Sequence, residues 1–176
     1  MTHPGTAGGG ADAEPAGALA FLVGTWRGEG VGGFPGIDDF EYGQEVTFAP
    51  TGKPVLAYSS RTWWLGPPVP GRQEGEPLAA ESGFWRIQPA GVVEVMLAHP
   101  FGIAEIYIGR VAGTRIELNE NVLIRTRLAR DVERSTRLYG LVEDDSGGPD
   151  LAYAMDMEAG GKGPAPHLSA RLRRVS

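Results

Sequence analysis

Between Trp26 and Val175 the chain is written in short runs of β-branched and aromatic residues broken by Gly, Pro, Asn and Asp, a pattern that predicts many short strands. In Phe40-Glu-Tyr-Gly-Gln-Glu-Val-Thr-Phe48 the residues Phe40, Tyr42, Val46 and Phe48 fall on one face and Glu41, Glu45 and Thr47 on the other. Such alternation gives a strand one buried side. Comparable runs follow at 55–64, 83–87, 92–98, 105–111, 115–121, 135–142, 151–158 and 167–175, with turns at Thr51-Gly52, Ala112-Gly113 and 145–149. With the segment around Trp26 they make about ten strands. No helical segment of ordinary length separates them, which argues against βαβ units and for an antiparallel meander that closes on itself and so loses its exposed edges. The expected fold class is all-β, a ten-stranded antiparallel up-and-down β-barrel with room for one small ligand.

Three segments stand outside the alternation. Pro15 to Val23 is compatible with two turns of helix stopping at Gly24, a residue suited to a left-handed ending, and this short N-terminal helix would cap one end of the barrel. Residues 1–15 have the Gly, Ala and Pro composition of a tail that cannot bury enough to stay ordered, so the expected division is a disordered tail, 1–15, and a barrel domain, 16–176. Gly160-Gly-Lys-Gly-Pro-Ala-Pro166 reads as a flexible loop leading into His167.

Composition narrows the chemistry. At 176 residues the chain has length for one ordinary domain. The net charge of −6 argues against nucleic acid, which draws its affinity from basic residues. The absence of cysteine excludes disulfides, thiolate metal sites, catalytic thiols and covalent c-type haem attachment. The longest apolar stretch, Ala16 to Val23, falls far short of the roughly 20 residues that span a bilayer, and no basic region precedes it as in a secretory signal. A cytoplasmic location with no membrane partner is therefore expected.

Among the three histidines, His3 lies in the tail, and His99, in Ala98-His99-Pro100, reads as a strand-end residue bonded to backbone. His167 opens the last run. Strict alternation sets His167, Ser169 and Arg171 on one face and Leu168, Ala170 and Leu172 on the other, so His167 points outward if the leucines face the core and reaches the pocket if the ligand enters near this strand's beginning. The pattern alone leaves both open. No Gly-x-Ser-x-Gly elbow supports a serine nucleophile. The element Gly24-Thr-Trp26-Arg-Gly28-Glu-Gly30 lacks the strand–loop–helix setting of a phosphate loop; its glycines instead allow bending and close approach. Trp26 among them is expected in the core where the helix caps the strands. The acidic pairs Asp38-Asp39 and Asp144-Asp145 sit at apparent turns and read as solvated.

Taken together, Gly24-Thr-Trp-Arg-Gly-Glu-Gly30, Phe40-Glu-Tyr-Gly-Gln-Glu-Val46, Gly52-Lys-Pro54, Glu81-Ser-Gly83, Leu97-Ala-His-Pro100 and Pro166-His-Leu-Ser-Ala170 resemble the nitrobindin family, in order from Gly24 to about Val175, and suggest an actinobacterial member. The resemblance implies a barrel, lipocalin- or fatty-acid-binding-protein-like in outline, that holds one non-covalent haem b per chain through one axial histidine, matched by His167, and leaves the other side of the iron open. It further implies ferric iron that binds nitric oxide and converts peroxynitrite to nitrate, the activity of a peroxynitrite isomerase. Three departures touch the haem surroundings. Phe34-Pro-Gly-Ile37 replaces the family's Tyr-Pro-Thr-Ile, so Gly36 stands where a threonine hydroxyl is common; Ala79 stands where a distal histidine often lies; and Arg130 stands for a lysine, able to meet a haem propionate. The competing readings are a non-catalytic carrier or sensor of haem, nitric oxide or a fatty-acid-like ligand, and a structural barrel with an empty or lipid-filled interior. A homodimer is compatible with any of them.

Overall fold

In the computed structural model, which describes residues 16–67, 71–143 and 148–176, ten antiparallel strands form one closed barrel. They are β1 (Gly24–Phe34), β2 (Ile37–Lys53), β3 (Val55–Trp64), β4 (Pro77–Ile87), β5 (Val92–His99), β6 (Ile103–Ala112), β7 (Arg115–Arg125), β8 (Val132–Val142), β9 (Asp150–Ala159) and β10 (Lys162–Arg174). Each pairs with its neighbours in the chain, and β10 closes the ring on β1 from Trp26↔Arg174 to Gly32↔Leu168. Closure leaves no edge strand to aggregate. The tail assigned to residues 1–15 and the turn residues Asp144 and Asp145 lie outside the described residues. Among the described residues no helix is long and apolar enough to cross a membrane.

Two strands begin well before their expected starts. β4 begins at Pro77 rather than Gly83, since the small residues of Leu78-Ala-Ala-Glu-Ser82 carry little strand signal. β10 begins at Lys162, so 160–166 is not a flexible loop. Gly160 and Gly161, with φ of 60° and 70°, make a two-residue turn whose backbone matches the strand twist, and Lys162 pairs directly with Ala159.

One end of the barrel is sealed. The helix before β1 is a single 3₁₀ element, Gly17–Leu22, whose Leu19 and Leu22 are fully buried in the barrel mouth. Trp26 is fully buried beneath them and its indole Nε1 donates to the Leu22 carbonyl at 2.7 Å, while the Arg174 guanidinium lies 4.2 Å from its ring centroid. Further in, Phe48, Tyr58, Trp85, Tyr139 and Tyr153 form a continuous aromatic layer with successive ring centroids 4.9–5.8 Å apart. Close approach along β1 explains two glycines of its motif. A Cβ at Gly28 would lie 2.1 Å from the Arg171 carbonyl, and one at Gly30 would lie 2.5 Å from the Tyr42 ring.

Candidate functional site

Consecutive connections in an up-and-down barrel alternate between its ends, so the turns at 35–36, 100–102 and 160–161 and the connections β3–β4 and β7–β8 gather opposite the 3₁₀ helix. Among the described residues, inward-facing positions at this end are partly or fully exposed. Along β4 the inward series runs from Trp85, fully buried, through Glu81 to Ala79, which is exposed.

His167 sits at this open end, and a β-bulge decides its direction. Pro166 pairs with Asp156 and Leu168 with Met155, which leaves His167 as one extra residue on β10. A bulge re-aims a side chain that strict alternation would send the other way. Leu172, Ala170 and Leu168 therefore keep their inward phase while His167 also turns to the lumen, half-buried. Its Nδ1 lies 2.8 Å from the Gly33 carbonyl on β1. That bond fixes Nδ1 as the protonated nitrogen when the ring is neutral. The Phe34 ring meets the imidazole edge-on at 6.1 Å between centroids. Among the described residues Nε2 has no protein partner. Burial, with the charges of Arg130 and Arg137, pushes the His167 pKa below its ordinary 6.5 against the opposing Gly33 bond. A neutral ring with a free nitrogen is the form that binds metal.

The other residues singled out from sequence separate into two groups. Gly36 and Arg130 share the open end with His167. Gly36 occupies the β1–β2 turn at φ 90°, where a β-branched threonine would be strained, and the site its hydroxyl would fill is approached by the Lys162 ammonium, 3.1 Å from a Cβ built there. Lys162 donates to the Pro35 carbonyl and lies 5.8 Å from the Phe34 ring centroid. Arg130, in the β7–β8 connection, is exposed and close enough to bias His167. Ala79 faces inward on β4, opposite Thr62 of β3. Gly24 and Trp26 lie at the sealed end, and Gly28 between the two, so the glycine motif shapes the barrel rather than the open site.

His99 requires a correction. It is bonded to a side-chain carboxylate, not to backbone: Nε2 lies 2.9 Å from Glu105 Oε2, while Nδ1 faces Glu81 Oε2 at 3.6 Å, beyond hydrogen-bond reach. The inward phase of Val93, Val95 and Leu97 continues to His99. With both nitrogens facing carboxylates, its ring is not free to ligate iron. The two glutamates belong to a buried network that sequence reading missed. Arg137, 1% exposed, donates to both Glu81 oxygens at 2.8 and 2.9 Å and to Glu105 at 3.2 Å. Tyr58 donates to Glu81, and Ser135 and Tyr107 to Glu105. Burial pushes the Glu105 carboxyl up, but His99, Arg137, Ser135 and Tyr107 more than offset it and hold the pKa at about 2. Glu81 is lowered in the same way, with Arg137 the main force against burial. A signal for this network existed, since Ser135, Arg137, Tyr139 and Leu141 share one face and set an arginine in an apolar phase. Lys162 carried no such signal.

Residues 16–174 match the THAP4-like, heme-binding β-barrel domain. A Frankia casuarinae protein named peroxynitrite isomerase is 68% identical over 162 residues, covering 90% of this chain and 84% of that protein. A Thermobifida fusca ferric nitrobindin-like protein is 38% identical over 169 residues, covering 89% and 92%. The crystal structure of Rv2717c from M. tuberculosis shares the fold with a TM-score of 0.76 at 37% identity, covering 90% of this chain and 96% of that one.

Proposed function

The chain belongs to the THAP4-like, heme-binding β-barrel family, and from that premise we propose that it is a cytoplasmic haem b protein that isomerises peroxynitrite to nitrate. In this reading His167 is the axial ligand of ferric iron, and the opposite face stays open to ligands, nitric oxide included. Relatives at 61–68% identity carry the name peroxynitrite isomerase, which supports the reaction. Haem, when bound, supplies a Lewis-acidic iron for rearranging peroxynitrite.

What this chain contributes is position and exclusion. The Gly33 carbonyl orients the His167 ring and raises its basicity as a ligand, as a carbonyl partner does for metal-bound histidines. Phe34, Phe40 and Leu168 provide apolar surface around it for a porphyrin face. Arg130 and Lys162 stand at the rim where haem carboxylates would emerge, and a guanidinium can take a carboxylate with two parallel hydrogen bonds. Ala79 leaves space, and the engaged ring of His99 leaves the sixth position free.

The observation that carries the proposal is the bulge at His167, with Nδ1 anchored and Nε2 free. Haem-reconstituted protein is expected to give a high-spin, five-coordinate ferric spectrum and to speed peroxynitrite decay in stopped flow. His167→Ala loses most haem uptake and the decay with it. A wild-type Soret band in that variant would assign the ligand elsewhere; haem uptake without decay would leave a carrier. Uptake also weakens on acidification, because protonated imidazole cannot ligate and the lowered pKa places that loss below about 6.5.

A second copy is the further partner we propose. Phe84, Met96, Ile106 and Val122 pair in one row across the outer face of β4 to β7, with Phe84, Ile106 and Val122 exposed and Ile108 and Ile124 beside them. The row carries no charge and can meet its own copy about a two-fold axis. Ile106→Lys is expected to convert a dimer to a monomer in sedimentation; a variant that stays dimeric, or a monomeric wild type, refutes the interface.

A further inference from the structure

Four ionisable side chains from four strands meet between the packed and open halves of the lumen: Glu81 on β4, His99 on β5, Glu105 on β6 and Arg137 on β8. Two carboxylates against one guanidinium leave one uncompensated negative charge, and a buried charge without a partner is costly. Tyr58, Tyr107, Ser135 and Asn121 complete the hydrogen bonds as neutral groups, so they spread the charge without cancelling it. His99 is the remaining group able to do so. Its two nitrogens face one oxygen of each glutamate, Nε2 at 2.9 Å from Glu105 and Nδ1 at 3.6 Å from Glu81, so a proton on the ring is placed to hydrogen-bond Glu105 and a second to face Glu81 at ion-pair distance.

The position of the quartet connects it to ligand entry. β5 and β10 lie halfway round the ring from each other, and His99 and His167 both face the lumen at the open end. The Arg137 charge adds to the forces that lower the His167 pKa, the last of them after burial and Arg130.

Resting on the haem reading above, we propose that His99 sets the net charge of this quartet and thereby makes the pocket selective for small anions. With His99 protonated the quartet is neutral and an anion such as peroxynitrite or azide meets no repulsion on the wall facing His167. With His99 neutral or replaced, the surplus carboxylate charge repels it. A unit charge at the far wall of a small cavity changes anion affinity by about tenfold.

The test is ligand binding to the ferric haem-loaded protein, read from the Soret shift, with azide as the anion and imidazole as the neutral comparison. His99→Gln is expected to bind azide about tenfold more weakly than wild type, while imidazole affinity is unchanged. The double variant His99→Gln with Glu105→Gln restores neutrality and recovers azide affinity, which a purely structural role for His99 would not allow. Equal azide affinity in wild type and His99→Gln, a parallel loss of imidazole binding, or failure of the double variant to recover each overturns the inference. A wild type without a Soret band overturns the haem reading and takes this one with it.

Discussion

The two ends of the barrel are built from the same alternating strands and differ in what fills the lumen. At the sealed end Leu19, Leu22, Trp26 and Trp85 close the interior completely. At the open end the inward positions pass to Ala79, His99 and His167, and the rim is set with Arg130 and Lys162. β10 contains both regimes: Leu172 is buried, and His167, five residues earlier across a bulge, is half-buried. Alternation determines which side chains turn inward, while their size and polarity determine whether the interior is packed or left for a ligand. Stability is concentrated at one end and ligand contact at the other, with the Glu81–Glu105–Arg137–His99 quartet as the floor between them.

The largest effect that would break this division comes from the sealed end. Trp26→Ala removes a fully buried indole and its bond to Leu22 and is expected to cost about 3–5 kcal/mol, as large-to-small core changes do. Denaturant unfolding measures the loss, and haem uptake below the melting transition stays near wild type. A haem defect with intact stability would place Trp26 in the site instead.

The floor answers to acid. The folded-state carboxyl of Glu105 is held at about 2 against an ordinary 4.5, so the fold gains stability above 4.5 and loses it as pH falls towards 2. The amount is roughly 3 kcal/mol by linkage. Glu105→Gln flattens that part of the pH–stability curve; an unchanged slope would show that the quartet does not hold the charge.

The smallest effect belongs to the rim. Arg130→Ala and Lys162→Ala are expected to speed haem loss a few-fold, read as transfer to apomyoglobin, while the thermal midpoint stays within error because both side chains are exposed. A drop in midpoint with unaltered haem loss would move them from ligand contact to fold support.

Most of the architecture was legible as pattern. The parity of Phe40, Tyr42, Val46 and Phe48 was observed as written, and the expected ten-stranded antiparallel barrel is the one found. The Gly160-Gly161 turn was not legible, since the Gly and Pro residues of 160–166 read as one flexible loop although the backbone is paired from Lys162. The start of β4 was not, because Leu78-Ala-Ala-Glu-Ser82 has no apolar alternation.

The sequence by itself determined the closed antiparallel barrel, the inward phase of its strands, the absence of thiol chemistry and the histidines available as ligands, because those follow from period, composition and short-range turn chemistry. The tertiary structure alone decided which way His167 points and what His99 touches. A bulge inserts one residue without any mark in residue type, and it reverses every parity argument on one side of it. Likewise Glu81, His99, Glu105 and Arg137 lie up to 56 positions apart in the chain and meet only when four strands are wound into one ring.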